Sequence, residues 1–79
     1  MKLVNSQLNE YSSNPLWPLL TEVVHALVMY VHHKAYVRDV VLNGKPDITP
    51  QELATRLNIP LGEALVILHE LTAERKLTP

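Results

Sequence analysis

Histidines are the residues of this chain best suited to chemistry at neutral pH, because an imidazole can bind a metal or transfer a proton there. The four are His25, His32, His33 and His69. His25 and His32 are seven residues apart and would share one face of a helix. No carboxylate completes a tight ligand set with them, and none of the usual zinc spacings occurs. We therefore predict solvated or core-edge histidines, with no metal ion and no cofactor.

The only basic cluster of the sequence includes two of these histidines and ends at Arg38. Such a cluster can contact phosphate, although it is more often a solvated face of a helix. Basic residues elsewhere in the chain would lie near the same side if the domain bound a duplex. The candidate nucleic-acid contacts are His32, His33, Lys34, Arg38, Arg56, Arg75 and Lys76.

Recognisable catalytic motifs are missing from the sequence. It has no Gly-rich phosphate loop, no nucleophile elbow, no HExxH pair and no paired catalytic carboxylates. Its aromatic rings lie among leucines and valines, which favours core or interface anchors over a stacking platform for bases. These rings are Tyr11, Trp17, Tyr30 and Tyr36. The chain is therefore predicted not to be an enzyme.

Length and composition limit the fold further. The chain has 79 residues, enough for one domain with a core of modest stability. Hydrophobic residues make up 47% without any Cys or Phe, and self-association is a common way for such a domain to bury more apolar surface. The net charge of −1 lacks the basic excess typical of nucleic-acid binders. Neither a secretory signal nor a membrane span is recognisable, and a cytoplasmic location is expected.

The first half of the chain predicts a helix or helix pair over residues 15–43, behind a flexible polar arm of residues 1–14. One uninterrupted helix over residues 16–43 would be about 42 Å long, whereas a break near residues 32–34 would give two helices. Gly44 in the left-handed conformation is expected to end the segment. The apolar stripe that supports this helix consists of Leu16, Leu20, Val23, Val24, Leu27 and Val31.

The second half begins with a capping box in residues 49–52. Thr49 caps the helix, a proline occupies the first helical position, and Glu52 reaches back to the cap. Asn58 tolerates the left-handed conformation that a tight turn needs, and a second helix follows. The sequence therefore predicts a helix-turn-helix unit over residues 49–75.

This unit resembles the helix-turn-helix of winged-helix regulators, over residues 48–60 and the following residues 61–77. The pattern combines a small residue where two helices cross, a turn residue, a hydrophobic plug beneath the turn and apolar positions on the second helix. The residues that carry it are Leu53, Ala54, Leu57, Asn58, Ile59, Ala64 and Leu68. In that family DNA binding is the commonest activity, but many such domains bind protein, so the resemblance concerns fold more than function.

The sequence departs from the family at two places. Pro79 stands where the family builds its β-hairpin wing, so we expect the wing to be absent or reduced to a short strand around residues 76–78. The resemblance also implies which positions of the second helix face outward, and here they are mostly apolar, whereas a base-reading helix needs polar side chains. Those positions are Pro60, Leu61, Gly62, Leu65, Val66 and His69, with Glu63 and Glu70 alongside.

An exposed apolar patch of Leu61, Leu65 and Val66 with a charged rim would suit a protein contact. Three interpretations stay open for it: cover by another part of this chain, contact with a second chain, or contact with DNA. The predicted protein-interaction residues are Leu61, Leu65, Val66, His69, Trp17 and Val28.

We predict a single all-α domain over residues 15–79, in which a long or broken N-terminal helix packs on a helix-turn-helix without a wing. A homodimer with the N-terminal helix as its main seam is expected. The first functional hypothesis is a regulatory or adaptor module that acts through protein contacts, and the second is a small transcription regulator that binds double-stranded DNA. The expected core consists of Leu20, Val24, Leu27, Val31, Leu53, Ala54, Leu57, Ile59, Ala64, Leu68 and Leu71.

Overall fold

The computed structural model describes the backbone of residues 10–77 and the side chains of residues 10–75. Within that part the chain is all-α and contains no strand, as predicted. Residues 76–77 belong to the last helix, and the rest of the predicted strand remnant and residues 1–9 of the predicted arm lie outside the described residues. The elements are α1 Trp17–His25, α2 Tyr30–Tyr36, a π-helical turn Val37–Val41, α3 Leu42–Gly44, α4 Pro50–Leu57 and α5 Leu61–Leu77.

The N-terminal segment is a helix pair because the chain turns at residues 26–29. Helical structure resumes at Tyr30 and continues through the π-helical turn to Gly44. The predicted break near residues 32–34 is therefore misplaced, and the single rod is wrong. A rod of about 42 Å would also exceed the described molecule, which measures 30 × 26 × 24 Å.

Gly44 does not adopt the left-handed conformation predicted for it, since no described glycine has a positive φ. The helix ends at Lys45, which has an extended backbone with φ −146° and ψ 83°. Lys45 precedes Pro46, and the proline ring disfavours helical dihedral angles in the residue before it. The proline, and not the glycine, explains where α3 stops.

The two signals predicted around α4 are confirmed. The Glu52 amide donates to Thr49 Oγ1 at 3.1 Å, and the Thr49 amide donates to Glu52 Oε1 at 3.2 Å, which completes the capping box. At the other end Asn58 has φ 55° and ψ 49° and lies in the left-handed region. The turn that follows brings α5 back against α4.

α5 is the central helix of the domain. Its residues 63–68 are all buried, because α1 and α4 pack on it and side chains of α2 reach it from another side. Leu20, Ala54, Leu57 and Ile59 of the predicted core are partly buried against this centre. The buried apolar residues are Val24, Tyr30, Val37, Val41, Leu42, Ile48, Leu53, Ala64, Leu65, Val66, Ile67, Leu68 and Leu71.

Two predicted core residues, Leu27 and Val31, are exposed instead. A continuous helix would place both on the same face as Val24. The turn at residues 26–29 resets the helical phase, so α2 and the π-helical turn direct Tyr30, Val37 and Val41 inward. Of the predicted stripe only Leu20 and Val24 face the core, because Leu16 and Val23 are exposed as well.

The capping box gives a stability prediction. Thr49→Ala removes the hydroxyl that accepts the Glu52 amide, and we expect the free energy of unfolding to fall by about 1 kcal/mol. The measurement is urea denaturation followed by circular dichroism. Thr55→Ala makes the same chemical change at an exposed position within α4 and should be neutral or slightly stabilising, because alanine favours a helix interior. Equal losses in both variants would contradict the role given to the cap.

Candidate functional site

The apolar patch predicted on α5 is mostly core. Leu65 and Val66 are 5% and 0% exposed, whereas Leu61 retains 40% exposure. The prediction of a three-residue exposed patch is therefore wrong. Of the three interpretations, cover by the same chain applies to Leu65 and Val66. The pattern was misleading because residues 64–68 of α5 are all apolar, and a helical segment of that kind is enclosed.

α1 is one of the elements that cover α5. Leu20 lies so close to Gly62 that a Cβ atom added there would be 2.9 Å from Leu20 Cδ1. Trp17 meets His69 in a T-shaped ring contact, with 5.2 Å between the ring centroids. Gly62 and His69 are two of the positions that the family resemblance assigns to DNA contact. Here α1 packs on both.

The exposed apolar surface lies beside the face that α1 packs on α5. Leu16, Leu19 and Val23 are 66%, 59% and 62% exposed. Their spacing of three and four residues puts them on one face of the helix, which we call the outer face. Val28, in the turn after α1, is 90% exposed, whereas Trp17 is half-buried. Among the predicted interaction residues, Val28 extends this apolar surface and Trp17 belongs mainly to the inner packing.

Acidic side chains of α5 neutralise part of the predicted basic cluster. Lys34 Nζ lies 3.2 Å from Glu70 Oε1 and 2.6 Å from Glu74 Oε2. His33 Nδ1 lies 2.5 Å from Glu63 Oε2. These contacts hold α2 against α5. Two of the residues predicted to touch nucleic acid are thus engaged inside the domain.

The remaining predicted nucleic-acid contacts do not assemble into one surface of cations. Arg38 pairs with Asp39 at 3.0 Å, and this hydrogen bond raises the pKa of Arg38 and lowers the pKa of Asp39. Arg38 and Arg75 line one shallow depression, which Glu74 also lines. Arg56 lines a different one beside Lys45. The remaining two are His32, which is exposed, and Lys76, whose side chain lies outside the described residues.

Lys45 contributes a surface contact that supports the start of α4. Its Nζ is 2.8 Å from Glu52 Oε2. The hydrogen bond from Lys45 lowers the pKa of Glu52, and the Thr49 amide adds to the effect. Glu52 is therefore held as a carboxylate in the form that the capping box needs.

Glu70 is the point where the two halves of the chain meet. His25 Nε2 lies 2.5 Å from Glu70 Oε2, while the Tyr30 hydroxyl and Lys34 Nζ both donate to Oε1. The rings of His25 and Tyr30 are themselves in contact, 5.1 Å apart. Glu70 has donors on both oxygens, so its charge is already used to join α1 and α2 to α5.

These groups border an open groove of about 660 Å³ between α1, α2 and α5. Thr21 Oγ1 also borders it and is the one buried side-chain polar atom without a hydrogen-bond partner among the described residues. The polar groups of the groove otherwise pair with each other, which makes it a joint between helices. Its lining residues are Trp17, Thr21, His25, Tyr30, Val31, Lys34, His69, Glu70, Ala73 and Glu74.

Glu63 is the one buried charged residue in the described part of the chain, with 3% exposure. A buried carboxylate is costly unless it has a partner, and His33 is that partner. Its position in the first turn of α5 also suits a negative charge, because the helix dipole is positive there. Sequence reasoning placed Glu63 on an exposed rim and missed the pair. The signal available in the sequence was the apolar run of residues 64–68 directly after Glu63, which predicts an enclosed segment.

The site offers side chains that pack and pair. No group of three or more His, Asp or Glu side chains within residues 10–75 could hold a metal ion. None of the helices that the structure describes has the length and apolar character needed to cross a bilayer. Trp17 and Tyr30 are engaged with His69 and Glu70, so neither ring is presented as a platform for stacking.

Comparison of the chain with family models, with curated proteins and with solved structures finds no match.

The pair of Glu63 and His33 gives a second prediction. His33→Ala leaves a buried carboxylate without its partner, and we expect a loss of about 3 kcal/mol in the free energy of unfolding, because His33 is partly solvated and lies at the low end for a broken buried pair. Urea denaturation measures it. His32→Ala changes the exposed neighbour and should stay within about 0.5 kcal/mol of wild type.

A double variant tests the physical reason. Replacing Glu63 by Leu in the His33→Ala background removes the unpaired charge, so much of the stability should return. If the double variant is less stable than His33→Ala alone, desolvation of Glu63 is not the cause of the loss.

Proposed function

We propose that this protein is a non-enzymatic binding module, a regulatory or adaptor protein that acts through protein–protein contacts and self-association. The observation that carries the proposal is the outer face of α1. Its three large apolar side chains are each more than half exposed, and an apolar cluster of that kind marks an interaction site more often than a bare surface.

A second copy of the chain is the partner that this face suits. Glu22 is the one residue of α1 among Asp, Glu, Lys and Arg, so the face offers no charge pattern that would select a different protein. A mainly apolar strip with a single carboxylate at its edge can complement itself in a two-fold arrangement. The net charge of −1 also means that two copies repel each other little.

The charge pairing inside the domain supports a protein partner over a nucleic acid. DNA affinity depends largely on free cations that replace counterions at phosphates. Lys34 and His33 are paired with carboxylates of α5, and Arg38 is paired with Asp39. Two positions that a DNA-binding winged helix would use for contact, Gly62 and His69, lie beneath α1, which also disfavours DNA binding.

The proposal predicts a dimer that depends on the outer face. Leu19→Ser together with Val23→Ser should raise the dissociation constant at least tenfold, because burial of one such side chain contributes roughly 1.5–3 kcal/mol. Sedimentation equilibrium over a range of concentrations measures it. Val40→Ser is the matched control, since Val40 is similarly exposed but lies on the π-helical turn.

A wild-type protein that stays monomeric at every concentration would contradict self-association. So would equal weakening by the control, since that would mean that any exposed apolar residue has the same effect.

The competing function, duplex DNA binding, is tested by fluorescence anisotropy with pools of random duplexes. We expect no saturable binding at moderate salt and at most weak binding at low salt, because the paired cations leave little counterion release. Saturable binding whose affinity falls steeply with salt would favour the DNA regulator instead.

A further inference from the structure

The turn between α1 and α2 has no cause in the local sequence. Residues 19–43 contain neither proline nor glycine, the residues that usually interrupt a helix. The turn itself consists of Ala, Leu, Val and Met, and all four are compatible with a helix. The break therefore depends on tertiary packing: α1 is turned back because its inner face packs on α5.

The turn also places apolar side chains in water. Leu27, Val28 and Met29 are all exposed. The Tyr30 amide donates to the Leu27 carbonyl at 3.1 Å, and Met29 has φ −92° and ψ 3°. These values fit a type I turn with Val28 in its second position and Met29 in its third. In this conformation the three apolar side chains stay in water, so the turn contributes little hydrophobic stabilisation.

The place that α1 occupies on α5 is specific. Leu20 packs on Gly62, Trp17 packs on His69, and His25 pairs with Glu70. All of these contacts join the segment before the turn to the segment after it. A second copy of the same helix would bring the same side chains to the same place.

We propose that two copies of this chain exchange α1. In the exchanged form the turn straightens, so that residues 16–44 become one helix of about 43 Å, and the α1 of each copy packs on the α5 of the other. The contacts between α1 and α5 are the same in both forms, as in other domain swaps. The proposal rests on the self-association proposed above: exchange holds α1 on the second copy through its inner face, and the outer face of α1 is the additional surface through which the two copies meet.

Two features favour exchange at high protein concentration. Straightening the turn gives the amides of Val28 and Met29 the backbone hydrogen bonds of a continuous helix, whereas the amides of Ala26 and Leu27 already donate to Val23 and Val24. It also moves the exposed side chains of Leu27, Val28 and Met29 to the point where the two long helices cross, where they gain a neighbour from the other copy. A monomer offers neither gain.

The hinge variant Val28→Pro tests the exchange directly. Proline suits the second position of a type I turn, but it interrupts a continuous helix. We expect the dissociation constant of the dimer to rise at least about a hundredfold, since proline disfavours a helix interior by that order. Val28→Ala removes the same side chain while keeping a helix former, so it should raise the dissociation constant far less than Val28→Pro does.

A cysteine pair reports which α1 lies on which α5, and the natural chain has no cysteine to interfere. Leu20→Cys and Gly62→Cys are combined in one chain, since Leu20 and Gly62 touch. The isolated dimer is oxidised at low concentration and examined on a denaturing gel without reductant. Exchange predicts a covalent dimer. Adding Val28→Pro should convert it to an internally linked monomer, and chains with either cysteine alone should not cross-link.

The outcomes separate the two proposals. A dimer whose cysteines link within one chain, or one that survives Val28→Pro unchanged, overturns the exchange and leaves self-association standing. A wild-type protein that is monomeric at all concentrations overturns both.

Discussion

A helical segment whose consecutive residues are all apolar cannot lie at the surface of a protein, and residues 64–68 of α5 form such a segment, which the other helices of the chain enclose. Six consecutive residues of α5, 63–68, are buried. α4 covers one side through the tight turn at Asn58, and α1 covers another. α1 reaches α5 only because the chain turns back at residues 26–29. The turn is thus a consequence of enclosing α5.

Because α5 is enclosed, its carboxylates are paired with side chains of the neighbouring helices. Glu63 is buried and Glu70 is partly buried, and a buried carboxylate needs a partner. His33 and Lys34 of the basic cluster supply partners from α2, and His25 supplies one from the end of α1. Residues that look available for phosphate in the sequence are therefore drawn into the domain. The outer face of α1 remains exposed and has one charged neighbour, Glu22.

The parts of this structure that could be predicted from sequence are those with a local physical cause. The capping box at Thr49 and the left-handed Asn58 depend on neighbouring residues alone, and both are confirmed. The exposure of Val31 depends on a turn that packing imposes, and the burial of Val66 depends on which helices cover α5. The end of α3 also has a local cause, because Pro46 disfavours helical dihedral angles at Lys45, but the prediction assigned this end to Gly44. The resemblance to winged-helix regulators stays a prediction.

α1 has one apolar face more than a monomer can bury. Leu20 and Val24 pack inward, while Leu16, Leu19 and Val23 beside them face solvent. No helix among residues 10–77 covers these three side chains, since each is more than half exposed. Association with a second copy would bury these apolar side chains without a further helix in the chain. The turn at residues 26–29 contains no helix breaker, so α1 can also be the part that is exchanged. The contact surface and the exchange then both depend on α1, whose apolar residues are more numerous than its packing on α5 can bury.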